Sequence, residues 1–242
     1  MKKLPETDAI FDRLAQVNPA ADADETILRL SIDAKATIPI GLFSRGGYSR
    51  LTIKAWDHDF KPKQKVTPVG VFLPEYNELY LFLISGPLTA DAIADCIREA
   101  WLMIADRFPI VQTLLLNLDN GPENHSRRTQ FMKRLTQLVD ECHLAVELAY
   151  YPPYHSKYNP VERVWGVLEQ HWNGALLDSL NTVLQFAKTM TYNHVHPVVK
   201  QIAKTYHTGV KLSQQTMAEL EQRFERLSGL EKYFVRIPPL PA

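Results

Sequence analysis

The segment that most constrains the fold is VQTLLLNLD, residues 111–119, whose centre is a nearly continuous apolar run. Such a run is typical of a strand that is covered on both faces, because neither face then alternates toward water. A second run of the same kind is HLAVELAYY, residues 143–151, and a helical pattern separates the two. Parallel strands need a long crossover of this sort. The chain is therefore predicted to be an α/β protein with parallel central strands.

An antiparallel part of the same sheet is predicted before these runs. In ILRLSIDAK, residues 27–35, apolar and polar side chains alternate with the period of a strand. The remaining elements are strands at 49–56, 69–74 and 78–85, and helices at 89–107 (with Thr89 as N-cap), 124–142 and 160–172. This order is that of a ribonuclease-H-like fold: a mixed five-stranded sheet with helices on both faces.

Three regions are predicted along the chain. Residues 1–26 form a short helix followed by a linker rich in alanine and aspartate, and residues 27–174 form the ribonuclease-H-like domain. Residues 175–242 form a C-terminal helical extension, with helices near 178–192 and 213–227.

Composition narrows the class of protein. The 27 basic and 27 acidic residues balance, which is unusual for a domain that binds DNA on its own. Basic residues nevertheless outnumber acidic ones between 35 and 65.

The sequence has no apolar run near the ~20 residues that cross a bilayer, and its N-terminus lacks the apolar stretch of a signal peptide. Two cysteines, Cys96 and Cys142, are too few for a disulfide framework or a four-thiolate zinc site. We expect a cytoplasmic protein with no membrane segment.

Three carboxylates stand at the ends of predicted elements. Asp33 closes the first strand, Asp119 closes the central strand, and Glu162 opens the helix after the last strand. In the predicted fold these ends converge. Carboxylate oxygens are the ligands that Mg²⁺ prefers, and two such ions can hold a phosphate for in-line attack. The spacing suggests a metal site formed by these three side chains.

Each carboxylate also has a purely structural interpretation. Asp33 suits an exposed acid at a strand end, and Asp119 suits an Asp-Asn-Gly turn. Glu162 has the strongest alternative. With Asn159 as N-cap and Pro160 in the first helical position, it fits a capping box. Spacing alone does not decide between these roles.

The strings NLDNGPENHSRRTQFMKRL (117–135) and LAYYPPYHSKYNPVERVWGVLEQHWNG (148–174) carry a resemblance. They resemble the DDE domains of a group of bacterial insertion-sequence transposases that is related more distantly to mariner-type enzymes. The upstream string SIDAKATIPIGLFSRGGYSR and the tail HPVVKQIAKTYHTGVKL are similar to the same group, so the resemblance covers essentially the whole chain. It implies a retroviral-integrase-like fold and metal-dependent cutting and joining of DNA. The family's catalytic and metal-binding triad falls on Asp33, Asp119 and Glu162.

The resemblance also implies a cofactor and partners. The cofactor is Mg²⁺, with Mn²⁺ as a substitute, at two ions per site. The partner is double-stranded DNA, both element ends and target. Complete transposases of this type carry an N-terminal helix-turn-helix reader, and none is recognised in this sequence. We therefore expect a chain without its reader domain, with pairing of two copies and a separate DNA-reading subunit as further predictions.

Secondary roles follow from positions near the triad. The residues predicted to contact DNA are Arg45, Arg50, Lys54, Arg127, Arg128, His155, Lys157 and Arg163. For His155, a hydrogen-bonding role within its loop is an equal alternative. Asn120 and Asn124 are predicted to support Asp119. Trp165 and Trp172 are interpreted as core residues. Two functional alternatives stay open: an inactive remnant that only binds DNA or a second copy, and a nuclease without strand transfer.

Overall fold

A computed structural model describes residues 4–43, 62 and 64–240. The described residues form one mixed sheet with helices packed on both faces. Its strands are β1 (Ile27–Ala34), β2 (Ile38–Ile40), β3 (Gln64–Leu73), β4 (Glu78–Ser85), β5 (Thr113–Leu118), β6 (Ala145–Tyr150), β7 (Val198–Ile202), β8 (Glu225–Arg226) and β9 (Phe234–Ile237). Its helices are α1 (Thr7–Asp22), α2 (Ala90–Ile104), α3 (Thr129–Cys142), α4 (Val161–His171), α5 (Leu180–Thr189) and α6 (Gln214–Glu221).

The strand order is β7-β4-β3-β1-β5-β6-β9-β8, and β2 pairs with β3. The five central strands of this sheet, β4-β3-β1-β5-β6, correspond to the predicted ribonuclease-H-like sheet. Strand β1 runs antiparallel to β3 and parallel to β5, and β5 runs parallel to β6. The mixed α/β fold class is confirmed. The predicted strand at 49–56 lies outside the described residues.

Alternate residues of the strands supply two cores. Tyr80, Phe82 and Ile84 of β4 pack on the side of α2 and α3, whereas Leu79 and Leu81 pack on the side of α4 and α5. This alternation follows from the two-residue period of a strand. Thr89 caps α2 as predicted, because its side chain accepts a hydrogen bond from the backbone N–H of Ala92.

Two predictions about the ends of the chain need correction. Residues 18–22, predicted as linker, belong to α1, which continues through Pro19. Ala21 is buried and the Asn18 side chain accepts a hydrogen bond from Asn117 at 3.0 Å, so tertiary contacts hold the last turn in helical form.

The region 175–242 contains the two predicted helices, but it also contributes β7, β8 and β9 to the sheet. These strands are short, and β7 is largely exposed, so its sequence lacks the alternation that reveals a strand. Strands β7 and β9 cover the outer sides of β4 and β6. Because these strands pair directly with the central sheet, the extension shares one sheet with the predicted central domain. The boundary at 174–175 stays a prediction.

None of the helices in the described part of the chain is both long and apolar enough to cross a membrane.

Candidate active site

Two neighbouring parallel strands bring the two aspartates to one edge of the sheet. In the register of β1 with β5, Ser31 lies opposite Asn117. Continuing that register by one side-chain period puts Asp33 opposite Asp119, which directly follows β5, on the same face as Ser31 and Asn117. Neighbouring strands lie about 4.8 Å apart. The strand pairing thus explains how residues distant in sequence become neighbours.

The start of α4 is fastened to β1, next to Asp33. The Ser31 hydroxyl accepts a hydrogen bond from the backbone N–H of Val161 at 2.9 Å and donates one to Asn159 Oδ1 at 2.6 Å. The Asn159 side chain donates to the carbonyl of Ile32 at 3.0 Å. All these groups are buried. They place Glu162, in the first turn of α4, beside the carboxyl end of β1.

The capping-box interpretation of Glu162 is therefore wrong in its details. Asn159 has the extended backbone expected before a helix, with φ −67° and ψ 123°, but its side chain bonds to β1 instead of the first turn of α4. Within the described residues, the Glu162 carboxylate makes no hydrogen bond back to Asn159. Ser31, from a distant strand, satisfies the helix N–H that a capping side chain would otherwise take.

Asp33 is the most buried of the three acids, with 8% of its surface exposed. Its Oδ2 accepts a hydrogen bond from the indole N–H of Trp165 at 2.7 Å. The pKa of the Asp33 carboxyl is raised to about 8, chiefly by burial and then by the negative charge of Asp119; Glu162 adds to the rise, and the Trp165 hydrogen bond opposes it. Asp119 and Glu162 are therefore both close enough to Asp33 to act on its charge.

Asp119 is held by the turn that follows β5. Its Oδ1 accepts hydrogen bonds from the Asn124 side chain at 2.8 Å and from the backbone N–H of Gly121 at 3.2 Å. Asn120 adopts the left-handed conformation, with φ 63°, that such a turn requires. The Asn124 side chain thus supports Asp119 by a hydrogen bond, as predicted. Asn120 contributes instead through its backbone conformation, which forms the turn.

The donor set matches a hard divalent cation, because three carboxylates with mutual repulsion gain most from a positive ion between them. The distances between these side chains fit a bound ion less well. Among the described residues, no three His, Cys, Asp or Glu side chains stand close enough together to hold a metal ion. In this conformation Asp33 is turned to Trp165 and Asp119 to Asn124. The structure gathers the acids at one edge without closing them into a ligand shell.

The residues predicted to contact DNA fall into three groups. Arg45, Arg50 and Lys54 lie outside the described residues. Arg127, Lys157 and Arg163 are exposed on the loops and helix start around the acids. Arg128 is only partly exposed, and its guanidinium pairs with Glu123 at 3.1 Å. Of the described cations in this set, the exposed side chains of Arg127, Lys157 and Arg163 can therefore reach a phosphate most easily.

His155 is buried, and the structure supports its loop role. Its Nδ1 lies 2.9 Å from the Pro153 carbonyl, and its ring packs edge-on against Phe11 of α1, with centroids 5.5 Å apart. Phe11 also packs against Tyr158, with centroids 5.1 Å apart. His155 therefore joins α1 to the loop that leads to Glu162, and its buried position does not suit direct contact with DNA.

Three residues near the acids were missed as site residues from sequence: Ser31, Gly70 and Trp165. Trp165 was interpreted as a core residue, and it is buried, but its N–H also holds Asp33. A signal did exist, because Trp165 lies one helical turn after Glu162 and so on the same side of α4. Ser31 similarly shares a strand face with Asp33. No pattern in the sequence distinguishes Gly70.

A ribonuclease-H-like sheet with acidic side chains at the carboxyl ends of β1 and β5, and a third acid at the start of α4, is the arrangement of a DDE domain. The chain belongs to the family described as Rhodopirellula transposase DDE domain, which matches residues 1–239. The predicted resemblance to DDE transposases is thereby confirmed. No curated protein matches the sequence.

Several solved structures are distantly similar. The crystal structure of the Mos1 mariner paired end complex with Mn has 10% identity and a TM-score of 0.49, covering 77% of this chain and 54% of that one. The Mos1 transposase paired-end complex with left transposon end has 10% identity and a TM-score of 0.49, with 76% and 55% covered. A human cytomegalovirus terminase nuclease domain has 12% identity and a TM-score of 0.30, with 92% and 86% covered. The chain spans about half the length of the Mos1 chains. At such distances no residue's role is transferred.

Proposed function

We propose that this chain is the catalytic part of a DNA transposase that cuts and joins DNA phosphodiesters with divalent metal held by Asp33, Asp119 and Glu162. The observation that carries the proposal is geometric: the pairing of β1 with β5 and the hydrogen bonds of Ser31 to Asn159 and Val161 support a meeting of the three acids at one edge of the sheet. A carboxylate buried beside two others is costly as an anion, and a divalent cation bound between them would offset that cost.

The proposed division of labour follows from position. Asp33 lies on β1, between β3 and β5, and is the central ligand in this proposal, because Asp119 and Glu162 both act on its charge. A bound divalent ion, Mg²⁺ or Mn²⁺ and two per site in our proposal, supplies Lewis acidity toward water and phosphate. Asn124 and Gly121 keep the Asp119 carboxylate oriented. Exposed Arg127, Lys157 and Arg163 are placed to hold the DNA backbone.

The partner in this proposal is double-stranded DNA, as element ends and as target. Pairing of two copies and a separate DNA-reading subunit remain predictions. We also propose a cytoplasmic location, which suits a protein acting on DNA whose Cys96 and Cys142 are unpaired thiols.

One observation favours the alternative of an inactive remnant. The described residues contain no ready-made group of three metal ligands. If DNA and metal fail to draw the acids together, the fold would persist as a DNA-binding module without chemistry. The two functions differ in a measurable way.

The test is metal-dependent nicking of a plasmid that carries the element ends flanking the gene. We expect cutting with Mg²⁺ or Mn²⁺, none with EDTA, and at least a 100-fold loss in Asp119→Asn, the size of effect expected when a charge-stabilising group is removed. Asp106→Asn is the matched control, because Asp106 is exposed in the turn before β5, at the far end of the sheet. Equal rates in the wild type and Asp119→Asn would refute the proposal. Nicks without joined products would indicate the nuclease alternative.

A further inference from the structure

The indole of Trp165 has two neighbours that together suggest a role beyond core packing. Its N–H donates to Asp33 Oδ2 at 2.7 Å, and both side chains are buried. Its ring lies over Gly70 of β3, which is the register partner of Asp33. A Cβ built at Gly70 would stand 2.7 Å from one ring carbon of Trp165 and 2.9 Å from another. A real Cβ does not approach an atom so closely, so the ring reaches Asp33 because position 70 has no side chain.

The chemistry of this donor matters for a cation site. A carboxylate offers about four lone-pair sites, and one indole N–H occupies one of them on Oδ2. The backbone N–H of Ala34 also donates to this carboxylate. Two donors leave lone-pair sites over for a cation. An indole is neutral and donates only, so it fixes the carboxylate without the positive charge with which an arginine or lysine would compete against a metal ion.

One candidate for such a competing cation, Lys35, is paired with another acid. Lys35 follows Asp33 closely along the chain, and its Nζ pairs with Glu169 of α4 at 2.9 Å. Helix α4 thus gives Asp33 a neutral donor from Trp165 and engages the adjacent cation through Glu169. Neither contact places a positive charge on the Asp33 carboxyl group.

We infer that Trp165 is a positioning residue, which orients the Asp33 carboxylate for a divalent ion and depends on Gly70 to do so. This inference rests on the proposed function. Loss of an outer partner of a metal ligand typically weakens metal affinity about 10- to 100-fold. Trp165→Phe removes the N–H and keeps most of the ring, whereas Gly70→Ala keeps the indole and displaces it. The two substitutions therefore disrupt the same hydrogen bond in independent ways.

The experiment is calorimetric titration of the full chain with Mn²⁺ alone, in the absence of DNA. Trp165→Phe and Gly70→Ala are both expected to bind Mn²⁺ about 10-fold more weakly than the wild type. Trp172→Phe is the matched control, since Trp172 is a fully buried tryptophan of the same core that directly follows α4. It is expected to retain wild-type affinity. Circular dichroism and thermal unfolding establish that each variant is folded.

A second readout distinguishes positioning from general damage. If Trp165 only orients Asp33, the Mn²⁺ concentration that half-saturates DNA nicking rises about 10-fold in Trp165→Phe, while the rate at saturating Mn²⁺ stays within about 2-fold of wild type. For Gly70→Ala, a folded protein with the same pattern gives independent support.

The outcomes separate this inference from the proposed function. Asp33→Asn is expected to lose Mn²⁺ binding. If Asp33→Asn binds Mn²⁺ like the wild type, the metal site itself is wrong. If Asp33→Asn loses binding while Trp165→Phe keeps wild-type affinity, the site stands and the positioning role of Trp165 is overturned. Equal weakening in Trp165→Phe and Trp172→Phe also overturns it, because the effect then comes from the core.

Discussion

The hydroxyl of Ser31 accepts the backbone N–H of Val161 at 2.9 Å, joining a strand to a helix start across 130 positions of sequence. The same hydroxyl donates to Asn159, so one small side chain satisfies two buried groups. This junction fixes where α4 begins and therefore where Glu162 lies relative to Asp33.

Ser31→Ala should therefore destabilise the protein and reduce activity together. It leaves a buried N–H and a buried amide oxygen unpaired, which costs about 1–3 kcal/mol each. We expect the free energy of unfolding to fall by about 2–6 kcal/mol in urea titration. Ser85→Ala is the matched control, because the buried Ser85 hydroxyl has no hydrogen-bond partner among the described residues. A Ser31→Ala variant no less stable than Ser85→Ala would contradict this account of the junction.

The pH dependence of stability should report on Asp33. Its folded pKa of about 8 lies above the unfolded value of about 3.9, so the folded state binds a proton more tightly than the unfolded state does. This contribution to stability is full below about pH 4 and is lost as the pH rises to about 8, at up to about 1.4 kcal/mol per pH unit. Asp33→Asn removes this titration.

The measurement is the free energy of unfolding of wild type and Asp33→Asn without metal, from pH 4.5 to 9. We expect the variant to gain stability relative to the wild type as the pH rises, and the gain to level off above pH 8. A difference independent of pH would show that Asp33 titrates normally.

Metal binding should release a proton near neutral pH. Asp33 is largely protonated below pH 8, and a carboxylate must lose its proton to bind a cation. We expect Mn²⁺ binding at pH 7 to release about one proton per protein, and about none at pH 9.5. Calorimetry in buffers of different ionisation enthalpy measures this number. Release of no proton at pH 7 would show that Asp33 is already ionised or is not a ligand.

Arg163 should contribute to DNA affinity without reading sequence. It is exposed in the first turn of α4, beside Glu162. Arg163→Ala is expected to weaken binding equally for all duplexes and to reduce the salt slope of log K by about 1. Arg107→Ala is the control, since Arg107 is exposed in the turn that precedes β5, away from the acids, and pairs with Glu78. Fluorescence anisotropy over a salt series measures both slopes, and an unchanged slope in Arg163→Ala would exclude a phosphate contact.

Local patterns predicted the elements that depend on local physics. The alternation in 27–35 and the apolar run at 111–119 identified β1 and β5, because burial on one or two faces leaves a direct trace in the order of residues. The Asp-Asn-Gly turn was recognised from a different local property, the tolerance of Asn and Gly for a positive φ, and Asn120 has such a φ. The family resemblance added the choice of three acids, which spacing alone left open.

What sequence did not predict depends on tertiary neighbours. Asn159 looks like a helix cap, but Ser31 and Ile32 draw its side chain to β1. Pro19 looks like a helix end, but buried contacts carry α1 past it. The edge strands β7 and β9 take their form from pairing with β4 and β6. In each case a partner far along the chain outweighs the local preference.

Because Trp165 lies so close to Gly70, substitutions at the two positions are expected to be coupled. A side chain at position 70 fits only with a smaller ring at position 165. A smaller ring would no longer donate a hydrogen bond to Asp33. In a library that randomises both codons, variants selected for Mn²⁺ binding at limiting metal should carry glycine at 70 together with tryptophan at 165.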